Sequence, residues 1–203
     1  MTSGTMTDGV LPMAALLRKR CPLPEPWFSV LLAHSRSVAA VAGRLARREG
    51  LPRGQEVFVI EAAMVHDIGI FATRAPSLGC PGLAPYYRHG VIGAEILASE
   101  GLPAHARVCE RHVGAGITRE EALARGLDLP GRDLVPETLE EILVCFADKF
   151  FSKKQGNAPR MMTTGEVLAS LSPFGGRQVK VFSSWLDRFG DPGLLPADVE
   201  EDA

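Results

Sequence analysis

The sequence lacks a long apolar run, and it lacks a strong net charge. Its 203 residues carry 22 lysines and arginines against 24 aspartates and glutamates, which gives a formal net charge of −2. This balance provides no general basic field, so we expect no nucleic acid polymer among its partners. No apolar segment approaches the roughly 20 residues that cross a bilayer as a helix, so no membrane partner is expected either.

Cysteine is scarce and dispersed. No two of the four cysteines form a CxxC pair, and they stand at Cys21, Cys80, Cys109 and Cys145. This spacing argues against a disulfide framework and against a zinc site built from thiolates. We therefore expect a reducing, cytoplasmic location, with each cysteine acting as a small buried hydrophobic residue.

Strand signals are also missing. No period-2 alternation is sustained, and no NG or DG hairpin separates β-branched runs. Apolar residues recur instead at helical spacing, as at Leu31, Val38 and Leu45. The sequence therefore predicts an all-α fold, a single helical bundle of about seven to nine helices. One long loop rich in proline and glycine, over residues 72–85, has the length of a functional loop, and its GCPG segment is expected to belong to a lid.

The helical domain is expected to span residues 26–190. A flexible lead-in with at most one helical turn is expected over 1–25, and a frayed tail over 191–203. Two local signals mark helix ends inside the domain. Thr118 precedes a polar helical segment and is a predicted N-cap, while Gly69 follows a helical pattern and is a predicted left-handed C-cap.

Six ionisable residues interrupt apolar surroundings on these predicted helices. They are His34, His66, Asp67, His89, His112 and Asp148. A lone histidine on an apolar face is usually a structural residue with a local partner. Six in one helical chain favour a shared centre, because buried polar groups need partners and because imidazole and carboxylate are natural metal ligands.

The order of these residues, with HDIG at 66–69 and ADKF at 147–150, resembles the HD-domain metal-dependent phosphohydrolase superfamily. More narrowly, it is similar to the HDIG-type subgroup of uncharacterised bacterial members. The motif residues run from His34 to Asp148, which is more than half of the chain. The resemblance implies the helical HD-domain fold.

The resemblance also implies a ligand set. One metal would be bound by His34, His66, Asp67 and Asp148, and a second by Asp67, His89 and His112. Asp67 would bridge the two ions and would be the catalytic carboxylate. The implied cofactor is a divalent metal, as two ions, with iron or manganese favoured and with zinc, cobalt and nickel also suited to nitrogen and oxygen ligands.

Many HDIG-type proteins carry a lysine directly after the glycine, where this chain has Ile70. Other cations adjoin the motif and are candidates for binding a substrate phosphate: Arg88, Arg111 and Lys149. Lys153 and Lys154 lie further along and are expected to be solvated surface charges.

The implied function is a metal-dependent phosphohydrolase that acts on a nucleotide or related phosphate ester through a mono- or dinuclear metal centre. Its partner would be a small phosphorylated substrate. The alternative is a di-iron HD-fold oxygenase, which uses the same ligand set and would depend on dioxygen. A non-enzymatic HD module is disfavoured, because such modules usually lack much of the ligand set. Apolar helix faces are compatible with a homodimer but do not require one.

Overall fold

The computed structural model describes residues 4–153 and 160–194, with side chains from residue 10 onward. Within these ranges the chain forms nine α-helices: α1 (Gly4–Arg20), α2 (Trp27–Arg48), α3 (Arg53–Val65), α4 (His89–Ser99), α5 (Pro103–Arg111), α6 (Arg119–Ala124), α7 (Leu139–Lys149), α8 (Thr164–Leu171) and α9 (Gly176–Phe189). Short 3₁₀ helices lie at Ile70–Ala72, Pro76–Leu78, Tyr86–Arg88 and Ser172–Phe174. The predicted all-α bundle is confirmed.

The helices pack as two pairs joined by α7. α2 lies along α3, α4 lies along α5, and α7 contacts α2, α3 and α5. α7 is suited to the centre because its sequence is apolar on nearly every side, and Leu143, Val144 and Phe146 are fully buried. No helix in the described ranges is long and apolar enough to cross a membrane.

The N-terminal segment differs from the expectation of a flexible lead-in over 1–25. It forms α1, which packs mainly against α3. Val10, Met13 and Leu17 recur at helical spacing, and Leu17 is fully buried in the core. The pattern is easily missed because Pro12 stands inside this helix.

The C-terminal helices belong to the core. Phe182 and Phe189 of α9 are fully buried, and their rings lie 5.2 and 5.4 Å from the ring of Phe146 on α7. This answers a question that the sequence leaves open, since the C-terminal helices, with Trp185 and Phe189, could equally have formed an interface. Most of the expected tail, residues 195–203, lies outside the described residues, and so does Lys154.

Gly69 is not a left-handed cap, because its φ is −85° and its ψ is −1°. Its small size serves close packing instead. A Cβ at this position would lie 2.4 Å from the backbone nitrogen of Gly93 and 2.4 Å from the carbonyl oxygen of His89. The turn after α3 therefore presses directly on the backbone of α4, which sets the distance between the two elements.

The loop over 72–85 contains a minimal hairpin in which β1 (Arg74–Ala75) pairs antiparallel with β2 (Cys80–Pro81). It folds back on α2: a Cβ at Gly79 would lie 2.2 Å from the ring of Trp27. The Thr118 cap is confirmed as a capping box with Glu121, and similar boxes begin α7 and α8.

Candidate metal centre

The six predicted ligands come from five elements and are all buried. His34 lies in the middle of α2, while the other five lie at or beside helix ends. His66 and Asp67 follow α3, His89 begins α4 and His112 follows α5. Asp148 is the penultimate residue of α7. Their exposed fractions run from 0 to 5%.

Four of the six residues place their donor atoms close together in one group: His34, His66, Asp67 and Asp148. The Nε2 atom of His34 lies 3.3 Å from Oδ2 of Asp67 and 3.1 Å from Oδ1 of Asp148. The Nε2 atom of His66 lies 3.1 Å and 3.3 Å from the same two oxygens. The two imidazole nitrogens are themselves 3.3 Å apart.

A second group shares Asp67 with the first. Its other oxygen, Oδ1, lies 3.3 Å from Nε2 of His89 and 3.4 Å from Nε2 of His112. These two nitrogens are 2.9 Å apart. One oxygen of Asp67 therefore faces each group, which is the arrangement of a bridging carboxylate.

Backbone contacts orient three of the imidazoles. Nδ1 of His66, His89 and His112 each lies 2.6 Å from the carbonyl oxygen three residues earlier. A proton on Nδ1 satisfies that contact and leaves a lone pair on Nε2. The lone pairs of His89 and His112 then face each other at 2.9 Å. Placing the proton on Nε2 instead would set a bare Nδ1 against a carbonyl oxygen, so neither neutral tautomer satisfies both ends.

The spacing fits a metal ion. Ligand atoms about 2.1 Å from a common centre are about 3.0–3.4 Å apart in tetrahedral or octahedral geometry. The nitrogen–oxygen and nitrogen–nitrogen spacings given above run from 2.9 to 3.4 Å. In addition, neither carboxylate oxygen of Asp67 receives a well-formed hydrogen bond, although both are fully buried. A buried carboxylate needs positive charge nearby, which the Lys153 ammonium group supplies at Oδ2 and a metal ion would supply at both oxygens.

The ionisation of the groups follows from this crowding. Burial would lower the pKa of His66, but the Asp67 and Asp148 carboxylates raise it to about 9. Burial lowers the pKa of His112 to about 3, although Asp67 opposes the shift. Burial would raise the pKa of Asp67, but His66 and Lys153 hold it well below its ordinary value.

Two lysines line the cluster. Nζ of Lys149 lies 2.6 Å from Oδ2 of Asp148 and donates to the carbonyl oxygen of His112 at 3.3 Å. Nζ of Lys153 lies 2.8 Å from Oδ2 of Asp67 and 3.4 Å from Oδ1 of Asp148. The carboxylates raise the pKa of both lysines despite burial. The expectation that Lys153 is a solvated surface charge is wrong, because its side chain is only 13% exposed.

The two predicted arginines have other partners. Arg88 pairs with the exposed Asp128, and Arg111 pairs with Glu137 and Glu141 at 2.7 and 3.0 Å. Their guanidinium groups are therefore bound to carboxylates outside the cluster. Lys149 is the predicted phosphate-binding cation that the structure brings to it.

Sequence reasoning missed Lys153 as a site residue. It stands four residues beyond α7, so no helical periodicity relates it to Asp148. Tyr86 also lies beside the cluster, since it is 40% exposed and its ring lies 4.8 Å from that of His89. The signal for Tyr86 was present in the sequence, since it lies three residues before a predicted ligand.

Comparison with known proteins gives a family. The model of the family described as HD domain matches residues 31–152. A tRNA (cytidine(56)-2'-O)-methyltransferase of Thermoplasma volcanium is 35% identical over 123 residues, which are 60% of this chain and 32% of that protein. The corresponding enzyme of Picrophilus torridus is 37% identical over 124 residues, 61% of this chain and 32% of its own length.

An uncharacterized protein of Methanocaldococcus jannaschii is 44% identical over 86 residues, 42% of this chain and 43% of that protein. The matched regions thus span about a third to two-fifths of these relatives. Two crystal structures of the HD domain of the L. monocytogenes phosphodiesterase PgpH, one in complex with cyclic-di-AMP, are similar at 15% identity. Their TM-scores are 0.49 and 0.47; the alignments cover 87% and 88% of this chain and 95% and 97% of those chains.

Proposed function

The chain belongs to the HD domain family, and on that premise we propose that it is a metal-dependent phosphohydrolase acting on a small phosphate ester. The observation that carries the proposal is the carboxylate of Asp67. One of its oxygens faces the His34 and His66 imidazoles, and the other faces those of His89 and His112. Such a shared carboxylate suits two ions that act on one substrate.

The proposed ligands are the six residues of the two groups. Their donors are nitrogen and oxygen alone, which suits iron or manganese and also zinc, cobalt and nickel. Thiolate ligation has no support, because burial raises the pKa of Cys145 to about 12 and holds that of Cys109 well above its ordinary value. When bound, the metal would lower the pKa of water and neutralise charge on phosphate oxygens.

The chain's own residues supply orientation and charge. The carbonyl oxygens behind His66, His89 and His112 hold each Nδ1 proton and direct each Nε2 lone pair inward. Lys153, and behind it Lys149, provide positive charge beside the carboxylates, where a phosphate would approach. A nucleotide remains the first substrate class to test, as the family resemblance implies.

Methyl transfer is not proposed for this chain. The two methyltransferase relatives share only a third of their length with it. Within the described residues, the only paired strands are the two-residue β1 and β2, so no strand-to-helix glycine loop of the kind that holds nucleotide cofactors accompanies the cluster.

Metal content and phosphate release test the proposal together. The full chain would be purified without added metal or chelator, beside Asp67→Ala and the matched control Asp187→Ala on the exposed face of α9. We expect about two equivalents of iron or manganese in the wild type and the control, and clearly less in Asp67→Ala. The wild type should also release phosphate from a panel of nucleotides and simple phosphate esters.

The reaction would be run with and without dioxygen. Equal rates support hydrolysis, whereas a strict requirement for dioxygen would favour the oxygenase alternative. Absence of metal in the wild type, with no stabilisation on adding Mn²⁺ and no phosphate release, would contradict the proposal.

A further inference from the structure

A buried glutamine begins the aromatic face of α9. The buried residues of this helix follow one another at helical spacing: Gln178, Phe182, Trp185 and Phe189. Gln178 is only 2% exposed. Burying a side-chain amide costs free energy unless its oxygen and its nitrogen both find hydrogen-bond partners. The partners of this amide therefore indicate why a glutamine stands at the end of an otherwise aromatic face.

Both ends of the amide bind the backbone that follows the metal ligand His112. Oε1 of Gln178 accepts a hydrogen bond from the backbone N–H of Ala115, and its Nε2 donates to the carbonyl oxygen of Gly116 at 2.7 Å. Arg177, the neighbouring residue on α9, donates to the same carbonyl oxygen. Ala115 and Gly116 are buried, so their hydrogen bonds are made by α9.

The segment between the ligand and these contacts is a tight turn, residues 113–116. A hydrogen bond from the N–H of Gly116 to the carbonyl oxygen of Val113, at 3.1 Å, closes the turn. Gly114 and Gly116 have φ angles of 64° and 76°, which favour glycine. A Cβ on Gly114 would lie 2.9 Å from Oε1 of Gln178. The turn therefore lies directly against the amide, and it leaves little slack between α9 and His112.

α7 holds the other end of this segment. The carbonyl oxygen of His112 accepts hydrogen bonds from Sγ of Cys145 and Nζ of Lys149, each at 3.3 Å. α7 thus fixes the peptide group of the ligand itself, while α9 fixes the peptide groups that follow it. Nε2 of His112 lies 3.4 Å from Oδ1 of Asp67 and 2.9 Å from Nε2 of His89. A shift of the backbone at this point changes both distances.

We propose that Gln178 is a positioning residue for the second group of donors, because it holds the 113–116 turn so that the His112 imidazole faces Asp67 and His89. The inference rests on the proposed function, since it concerns the metal centre on which that function depends. Residues that orient a metal ligand typically account for about 10- to 100-fold in metal affinity. Gln178 acts through the backbone and not on the imidazole itself, so we expect the lower end of this range.

Calorimetric titration of Mn²⁺ into the chelator-treated full chain tests the proposal. His112→Ala first identifies the binding step that depends on the second group. Gln178→Met removes both hydrogen bonds at similar side-chain length, and it should weaken that step about tenfold while changing the other step by less than about threefold. In a His112→Ala background, Gln178→Met should have no further effect, because a residue that acts through His112 then has no ligand left to position.

Two controls separate positioning from a general loss of stability. Gln55→Met replaces an exposed glutamine at the beginning of α3 and should leave both binding steps unchanged. Phe189→Leu alters a fully buried residue of α9 that packs against Phe146 on α7. It should lower the urea midpoint of the metal-free chain and still leave both binding steps unchanged.

A second variant reaches the same contact from the turn, and it serves if Gln178→Met does not fold. Gly114→Ala places a Cβ against Oε1 of Gln178 in left-handed backbone. Gly126→Ala carries the same backbone strain, since the φ of Gly126 is 61°, but its Cβ would meet nothing within 4 Å. Gly114→Ala should weaken the step that depends on His112, whereas Gly126→Ala should not.

The outcomes separate this inference from the proposed function. The positioning role is overturned if Gln178→Met leaves both steps unchanged, weakens both equally, has no more effect than Phe189→Leu, or causes a further loss in the His112→Ala background. Mn²⁺ binding that His112→Ala itself leaves unchanged overturns it as well. In each of these cases Mn²⁺ still binds and the proposed function stands. Absence of Mn²⁺ binding in the wild type overturns the proposed function, and the positioning role with it.

Discussion

Gly69→Ala should disturb the metal centre through the backbone rather than through any ligand. The new Cβ would lie 2.4 Å from two backbone atoms, Gly93 N and His89 O, where ordinary contact begins at 3.4 Å. The deficit is 1.0 Å, and neither atom can rotate away as a side chain would. The turn after α3 must therefore separate from α4, at a cost of about 1–3 kcal/mol in the free energy of unfolding.

The same separation moves a ligand. His89 begins α4, and its Nε2 lies 3.3 Å from Oδ1 of Asp67, which stands on the other side of the gap. A displacement of about 1 Å at a catalytic group can cost about 100-fold in rate. The second group of donors should therefore lose metal affinity first, and we expect Gly69→Ala to hold fewer metal equivalents than the wild type.

Urea denaturation and elemental analysis check both effects. Gly54→Ala is the matched control, because Gly54 lies in α3 and a Cβ there would meet nothing within 4 Å. The control should be neutral or more stable by up to about 1 kcal/mol, since alanine favours helix. If Gly69→Ala matches the wild type in unfolding free energy and metal content, the close packing inferred at this turn is refuted.

Three further predictions concern stability. With chelator present, the pKa of His66 is raised from 6.5 to about 9, so its stabilising proton is present below pH 6.5 and is lost as the pH rises through 9. The urea midpoint should therefore fall between these pH values, and it should fall less in His66→Gln. A midpoint that rises with pH would contradict this. Glu141 is buried and accepts hydrogen bonds from two arginines and a backbone N–H. Glu141→Gln should lower the free energy of unfolding by about 1.5–3 kcal/mol in urea denaturation, whereas Glu140→Gln should lower it by about 0.5 kcal/mol or less. Phe189→Ala should cost about 3–5 kcal/mol while Phe174→Ala, at a 50% exposed position, costs far less; similar costs would mean that α9 is not part of the core.

The sequence allowed prediction of those features that depend on local pattern. Helical periodicity is local, so the all-α bundle and the Thr118 cap could be predicted directly. The six candidate ligands could be selected because charge is rare within apolar helices. A shared centre could be inferred because buried polar groups need partners, but the division of the ligands into two groups came from the family resemblance, since it depends on how α2, α3, α4, α5 and α7 pack.

Other features depend on tertiary contacts and could not be predicted in the same way. The role of Gly69 is set by the backbone of α4, at residues 20 and 24 positions further along the chain. Arg111 adjoins a ligand in sequence, but its guanidinium group pairs with the Glu137 and Glu141 carboxylates. Lys153 enters the site only because the chain turns back after α7, and α1 was hidden by a proline that breaks the usual helix signature.

The two lysines beside the cluster couple the binding of metal ions to the binding of an anion. Apart from the proton on His66, the two carboxylates and the two ammonium groups of Lys149 and Lys153 sum to zero charge. Divalent cations would upset that neutrality, and a phosphate dianion would restore much of it. Metal and anion should therefore bind with positive linkage, each raising the affinity of the other by the same factor. The apparent metal affinity of this protein would then depend on which phosphate is present, and a value measured in plain buffer would understate it.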